Sequence, residues 1–288
     1  MSANPTIARR RLGIKLRELR EARSARLEDV AARLGVAAST LSRIETGKAP
    51  TRLCYLTTML NVYGVSDPGL RKPLADLARE GQRKAWWTPW ADLLPDGAGR
   101  YLGMESAASL VRSYATRTVP ALLQTTRYAR AVCQATWPRL TADQIRALVK
   151  ITMRRQEIMQ RNSTHVHVVL DESVLLRTIA PADVMVAQLG HLRAVAARST
   201  VTLQIAALSR QLPALSPPFT MISFADLGDA DVAVSYGPGE QVIISTRDNE
   251  AVAMADTFKT LAQAALSPAD SKTMISDILD KLCDGPMS

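Results

Sequence analysis

Aromatic residues, cysteines and long apolar segments are all scarce in this sequence of 288 residues. The aromatic fraction is 5%, and the three cysteines (Cys54, Cys133 and Cys283) are too few for a disulfide framework and fit a reducing cytosol. The longest stretches without a charge, 199–209 and 211–225, are too short or too rich in proline to cross a bilayer as helices. The N-terminal residues contain no apolar signal core. These absences predict a cytoplasmic protein with no membrane segment.

Motifs for catalysis and metal binding are also lacking. The sequence has no Gly-x-Ser-x-Gly elbow, no Walker loop and no dinucleotide glycine fingerprint. His165 and His167 lie on the same side of a predicted strand, but no third ligand or cysteine pair is near them in the sequence. Ordinary strand histidines are therefore the better interpretation. We expect no enzyme activity, no metal and no cofactor.

What the sequence does contain is positive charge concentrated in one region. The formal net charge is +9. Residues 1–84 hold 17 Lys and Arg against 8 Asp and Glu, whereas residues 85–288 hold 19 against 19. The whole excess therefore belongs to the first third, which indicates a nucleic-acid-binding domain followed by an electrically balanced one.

Apolar periodicity in this basic third predicts a compact bundle of five short helices. The spacing within residues 27–46 is its most specific part. Val30 and Leu34 point inward, Gly35 makes a tight turn, and Leu41 and Ile44 bury the second of two short helices. This is the helix-turn-helix pattern, in which the second helix enters the major groove of DNA.

The segment resembles the phage-repressor and Cro type of helix-turn-helix domain, also called the xenobiotic-response-element family. The resemblance covers residues 7–65 and is carried by Leu-Ser-Arg-Ile-Glu at 41–45, followed by Gly47 and Pro50. It implies a recognition helix over 38–46. It also implies a homodimer that binds double-stranded DNA at an inverted-repeat operator.

In this register, the residues presented outward by the recognition helix are Ala38, Ser39, Thr40, Ser42 and Arg43. Arg43 is the predicted base reader because its guanidinium can bond two acceptors on a guanine edge. The predicted phosphate contacts are Lys48, Arg52, and either Arg10 or Arg11.

Two further residues of this domain carry expectations about its structure. The resemblance makes Glu45 a structural residue that pairs with an arginine of the first helix. Arg26 stands where the family usually has a capping Ser or Thr, so the second helix should lack its N-terminal cap.

Three tryptophans (Trp86, Trp87 and Trp90) lie in a predicted junction over 85–99. They either pack the C-terminal domain against the fifth helix or line an effector pocket. Beyond the junction, strands alternate with helices, which predicts an α+β domain over 100–288 with a small mixed sheet. Its predicted helices are 101–117, 122–134, 141–162, 181–198, 248–266 and 267–282, and its predicted strands are 165–170, 201–208, 219–225, 231–236 and 241–246.

This region resembles the C-terminal domain, long of unknown function, that accompanies helix-turn-helix modules in actinomycete regulators. The resemblance is carried by residues 119–125, 128–130, 154–156, 170–172 and 188–189. Such regulators are often encoded beside a small partner protein and are described as antitoxin-like.

A polar cluster is predicted within this second domain. Thr152, Arg155 and Gln156 fall on the apolar stripe of the helix 141–162, so that Arg155 needs a carboxylate partner. The carboxylates that we consider for it are Glu105, Asp171 and Glu172. The cluster is either a structural knot or the floor of a pocket for a small acidic or polar effector, with Arg155 as anion anchor.

Two functions from different classes follow. The first is a transcriptional regulator whose second domain senses a small-molecule effector or a protein and contributes to dimerisation. The alternative is an antitoxin-like interaction module that binds a small partner protein encoded nearby, with DNA binding serving autoregulation.

Overall fold

The structure is a computed structural model that describes residues 5–160, 164–212, 216–225, 231–237, 240–245 and 248–284. The chain divides into two compact units, Met1–Pro89 and Trp90–Ser288. The division between them falls inside the predicted junction, 85–99.

The first unit is a bundle of five helices, as the apolar periodicity predicts. The helices are α1 (Pro5–Ala22), α2 (Leu27–Leu34), α3 (Ala38–Glu45), α4 (Leu53–Val62) and α5 (Pro68–Gly81). Leu16, Leu41 and Met59 lie fully buried in a core to which all five helices contribute. Because α3 buries only Leu41, Ile44 and Glu45, most of its remaining surface is left outside this core.

The turn between α2 and α3 depends on Gly35. This residue has a φ of 66°, and the amides of Gly35 and Val36 donate to the carbonyls of Ala32 and Ala31 at 3.1 Å each. A left-handed residue at this position ends the helix and satisfies its last carbonyls. At the other end of α2, Arg26 has extended backbone angles and no side-chain capping bond, as the sequence predicts.

The second unit contains seven helices and six strands within the described ranges. Its helices are α6 (Ala98–Glu105), α7 (Thr126–Thr136), α8 (Ala142–Arg155), α9 (Glu172–Leu176), α10 (Ala182–Val195), α11 (Asp248–Ala264) and α12 (Pro268–Asp284). Its strands are β1 (Leu110–Ala115), β2 (His165–Asp171), β3 (Val201–Ala206), β4 (Phe219–Ser223), β5 (Val232–Tyr236) and β6 (Val242–Ser245). Residues 161 and 162 of the helix predicted over 141–162 and residue 246 of the last predicted strand lie outside the described ranges.

The strands form one mixed sheet in the order β3-β2-β1-β4-β5-β6. β1, β2 and β3 run parallel, and the pairs β1–β4, β4–β5 and β5–β6 are antiparallel. An all-α bundle followed by an α+β domain with a mixed sheet is thus confirmed.

The predicted helix over 101–117 is wrong in its second half. α6 ends at Glu105, and residues 110–115 form β1 in the middle of the sheet. The prediction relied on helical spacing, because Arg112 follows Ala108 by four residues and would share one face of a helix with it. However, the segment Leu-Val-Arg-Ser-Tyr-Ala is equally able to form a strand, and its pairing with both β2 and β4 decides the outcome.

The two faces of the sheet have different coverings. Tyr114 and Phe219 lie on one face, where Phe258 of α11 packs against them in an apolar cluster. Ser113 of β1 and Val168 of β2 lie opposite each other on the second face. A cavity on that face is bounded by residues of α6, α7 and α8.

Candidate nucleic-acid interface and the polar cluster of the second unit

α3 has one buried side and one exposed side. Leu41 is 0% exposed and Ile44 is 2% exposed. Ser39, Ser42 and Arg43 are exposed. Hydroxyl and guanidinium groups on the outer side of a short helix supply the donors that contact base edges and phosphates in a major groove.

The other predicted members of this surface are less uniform. Ala38 and Thr40 are half-buried, whereas Lys48 and Arg52 are exposed just after α3. The Arg52 guanidinium lies 5.7 Å from the ring centroid of Tyr55, which restrains the arginine by a cation–π contact. The exposed surface therefore has three exposed residues of α3 at its centre and two cations beyond the end of that helix.

Arg10 and Arg11, the two alternatives for a predicted phosphate contact, differ in exposure. Arg10 is only 6% exposed, whereas Arg11 is exposed. The turn after α3 contributes to this, because a Cβ added at Gly47 would lie 2.8 Å from the Arg10 Cα. Burial of Arg10 disfavours a phosphate contact, and the exposed Arg11 is the alternative that stays a prediction.

A buried ion pair holds α3 against α1. The Nε and Nη2 atoms of Arg20 donate to the two carboxylate oxygens of Glu45 at 2.7 and 2.9 Å, and Nη1 donates to the carbonyl of Ala25 at 3.1 Å. The hydrogen bond to Glu45 raises the pKa of Arg20. The predicted pairing of Glu45 with an arginine of the first helix is confirmed.

The close approach of these two helices depends on a glycine. A Cβ at Gly13 of α1 would lie 2.5 Å from the Glu45 carbonyl oxygen and 2.6 Å from that of Ile44. α1 therefore crosses the end of α3 nearly at backbone contact. This crossing and the Arg20–Glu45 pair together orient the outer side of α3.

In the second unit, Arg155 pairs with Glu105. Nε and Nη2 of Arg155 donate to the carboxylate at 2.8 and 2.9 Å, and the Tyr101 hydroxyl donates to the same carboxylate at 2.7 Å. Burial lowers the pKa of Arg155, but the charge of Glu105 and its hydrogen bonds outweigh it, so that the pKa is raised. Burial and the neighbouring carboxylate raise the pKa of Tyr101 well above its usual range. Glu105 therefore compensates the charge of Arg155.

Thr152 of α8 and Gln156, the residue after α8, have separate partners. Gln156 donates to the carbonyls of Ala121 and Gln124 at 2.8 and 2.7 Å, which ties α8 to the 3₁₀ turn at residues 121–123. The Thr152 hydroxyl donates to the Leu148 carbonyl of its own helix at 3.1 Å. Arg155 and Gln156 thus join elements of the fold, whereas Thr152 lies beside them.

Asp171 and Glu172 do not belong to this cluster, which corrects the wider prediction. Asp171 caps α9 by accepting from the Ser173 amide at 3.0 Å, and it also bonds the Ser173 hydroxyl. Glu172 accepts from the Leu208 amide at 2.7 Å. Asp171 thus bonds locally and Glu172 bonds the segment after β3, so Glu105 alone of the three pairs with Arg155.

A cavity of about 280 Å³ adjoins the cluster, and its lining includes Glu105, Thr152 and Arg155. Trp90, which belongs to the second unit, is not among the residues that line it. Trp86 and Trp87 contact each other edge to face, with ring centroids 5.4 Å apart. Their packing across the junction stays a prediction.

Two tyrosines near the cluster were not among its predicted residues. Tyr101 lies four residues before Glu105, a spacing that places both on one side of α6 and that could have identified the bond. Tyr236 ends β5 and lines the same cavity as Tyr101, Glu105 and Arg155. No local pattern could have placed Tyr236 there, because sheet pairing brings it in.

The histidines have ordinary surroundings. His165 is exposed, and the Nε2 atom of His167 lies 2.7 Å from the Gln204 Oε1 atom. Within the described ranges, no group of three or more His, Cys, Asp or Glu side chains is placed to hold a metal ion. None of the helices that the structure describes is both long enough and apolar enough for a membrane crossing.

A basic helix-turn-helix bundle with an exposed polar helix, followed by an α+β domain, defines a helix-turn-helix protein of the DNA-binding class. Residues 11–74 match the family described as helix-turn-helix domain, and residues 98–277 match the family described as domain of unknown function (DUF5753). The second match covers more than half of the chain, and the chain belongs to that family. No curated protein and no solved structure matched the chain.

Proposed function

We propose that this protein is a sequence-specific transcriptional regulator that acts on DNA in the cytoplasm, in the manner of phage-repressor-type domains. The observation that carries the proposal is the exposed set Ser39, Ser42 and Arg43 on a helix anchored by Leu41 and Ile44. α3 lies in the major groove, and Arg43 reads a base edge. The proposal assigns no catalytic step and no cofactor to the chain.

Affinity requires more than one such helix. α3 has eight residues and can contact few base pairs. Two copies of the chain on an inverted repeat, with half-sites about 34 Å apart, multiply the contacts. We therefore propose that the protein binds its operator as a homodimer.

The test begins with genomic fragments that the full-length protein retains, followed by titration of one fragment. Arg43→Ala should weaken binding and relax preference at one base position by about 1–3 kcal/mol. Arg79→Ala is the matched control, since Arg79 is an exposed arginine of α5 that pairs with Asp76. Equal affinity and equal base preference for wild type and Arg43→Ala would contradict the role of Arg43.

A second candidate function is capture of a small protein partner, as in antitoxin-like modules. It is supported by two exposed apolar side chains, Leu176 at 52% and Leu208 at 63%. They follow the adjacent parallel strands β2 and β3, and a hydrogen bond from the Leu208 amide to Glu172 links the two segments. Co-purification with the product of the adjacent gene tests this function. A stoichiometric complex that Leu208→Asp dissolves would support it, and retention of DNA binding in that variant would separate the two functions.

A further inference from the structure

The cavity in the second unit is mainly apolar. Its volume is about 280 Å³. Buried aliphatic side chains from five elements form much of the wall: Leu102, Val111, Leu122, Leu148, Ile151 and Val168. A cavity of this size is close to the lower end of the range for small-molecule sites.

The charged groups of the lining cancel in pairs. Four charged side chains border the cavity. Glu105 is paired with Arg155 through two hydrogen bonds, and Arg117 donates to Glu240 at 2.9 Å. An anionic ligand would have to lie beside the buried Glu105 carboxylate or displace it from Arg155, and either arrangement leaves a charge without compensation. The lining therefore disfavours a charged ligand of either sign.

A thiol of the lining is also neutral. Cys133 is 6% exposed, and burial raises the pKa of its thiol to about 11. The Cys133 thiol is therefore almost entirely protonated at neutral pH. This is consistent with the absence of net charge along its wall.

Polar contacts are nevertheless available to an occupant. The structure shows no hydrogen bond from the hydroxyls of Thr116, Thr118 and Thr136 to any residue that it describes, and all three line the cavity half-buried. Thr116 and Thr118 follow the carboxyl end of β1, the side of a strand at which open α/β sheets bind ligands. A few hydroxyls on an apolar wall can orient a ligand that has one or two polar groups.

We propose that this cavity is the binding site for an uncharged, predominantly apolar small molecule that carries one or two hydrogen-bonding groups. This replaces the expectation of a small acidic or polar effector with Arg155 as its anion anchor. The proposal concerns the second unit alone and does not depend on DNA binding.

Two fluorescent probes test the proposal on the full-length protein. N-phenyl-1-naphthylamine is neutral, and 1-anilinonaphthalene-8-sulfonate has the same ring skeleton with an added sulfonate. We expect saturable one-to-one binding of the neutral probe and binding of the sulfonate weaker by about tenfold or more. Tighter binding of the sulfonate, or no binding of the neutral probe, would overturn the proposal.

Variants of α8 locate the bound probe. Thr152→Trp fills the cavity from a position whose hydroxyl donates within its own helix, and it should weaken the neutral probe by about tenfold or more. Lys150→Trp adds the same side chain at an exposed position outside the lining and should leave binding unchanged. Equal affinity of wild type and a folded Thr152→Trp would place the probe elsewhere and refute the site.

Cysteine alkylation gives a second measurement that needs no variant. Cys133 lines the cavity, whereas Cys54 and Cys283 are exposed and serve as internal controls. Saturating neutral probe should slow modification of Cys133 by N-ethylmaleimide, followed by peptide mass spectrometry, without changing the other two rates. An unchanged Cys133 rate would count against the proposal even if Thr152→Trp failed to fold.

Discussion

Arg20 of α1 and Glu45 of α3 form a two-point ion pair, with side chains 12% and 4% exposed. The pair lies on the inner side of the helix whose outer side presents Ser42 and Arg43. Two nearby residues of α3 therefore have different roles. Glu45 orients the helix within the bundle, and Arg43 remains available to a partner.

Removal of Glu45 should destabilise the first unit. Glu45→Ala leaves the Arg20 guanidinium buried without its carboxylate, and loss of one partner of a buried pair costs about 3–5 kcal/mol. Urea unfolding followed by circular dichroism measures this. Glu18→Ala is the control, because Glu18 forms an exposed pair with Lys15 and should change stability by less than about 1 kcal/mol. Similar losses in both variants would contradict the structural role of Glu45.

The uncapped start of α2 offers a stabilising substitution. Arg26 is exposed, has φ −72° and ψ 144°, and makes no side-chain capping bond. Arg26→Ser supplies a hydroxyl that can accept from the amides of the first turn, and it should raise the free energy of unfolding by about 1 kcal/mol. Thermal unfolding of Arg26→Ser beside Arg26→Ala separates capping from loss of charge. An equal effect of both substitutions would show that the cap contributes nothing.

The Arg155–Glu105 pair should be important for the stability of the second unit. Arg155→Ala leaves Glu105, whose side chain is 2% exposed, without its cation, at a cost of about 3–5 kcal/mol. Arg127→Ala removes the same charge from an exposed pair with Asp183 and should change stability by less than about 1 kcal/mol. Denaturant unfolding of the two variants measures both changes. A wild-type midpoint for Arg155→Ala would exclude a structural role for the Arg155–Glu105 pair.

The stability of the second unit should depend on pH through His167. Burial lowers the pKa of this histidine, as does the nearby Arg112, although a hydrogen bond with Gln204 opposes the shift. The unfolded chain, with a histidine pKa of about 6.5, therefore binds the proton first as the pH falls. The contribution of His167 is present above about pH 6.5 and is lost below it, toward the lowered folded pKa.

His167→Gln isolates this contribution. Burial also lowers the pKa of His191, so the variant should reduce the fall in unfolding free energy from pH 7 to pH 5 without abolishing it. Urea titrations at a series of pH values measure the slope. An unchanged slope in His167→Gln would contradict the assignment.

Much of the first unit was predictable from local pattern. The positions of Val30, Gly35, Leu41 and Ile44 are separated by helical spacings and one tight turn, and these depend on short-range backbone geometry. The pairing of Glu45 with α1 followed from family resemblance, since no spacing in the sequence joins residues 25 positions apart. The burial of Arg10 was not predictable, because helical periodicity alone does not show that the turn at Gly47 packs against it.

The second unit was less predictable because its sheet is assembled from distant segments. The Leu110–Ala115 segment is a central strand only because β2 and β4 flank it. The need of Arg155 for a carboxylate was visible in the sequence, but three acids were equally plausible. Folding decided among them: Asp171 accepts from the nearby Ser173 amide, Glu172 accepts from the distant Leu208 amide, and Glu105 pairs with Arg155.

The sequence by itself determined where the charge lies, that the first unit is a helix-turn-helix bundle, and which face of α3 points outward. These are consequences of composition and of periodicities within a few residues. Tertiary structure alone decided which carboxylate neutralises Arg155 and that an apolar, charge-balanced cavity lies on one face of the sheet. Both depend on contact between segments that are 50 or more residues apart in the chain, such as Arg155 with Glu105 at 2.8 Å and with Tyr101 at 3.2 Å. No local pattern encodes that proximity.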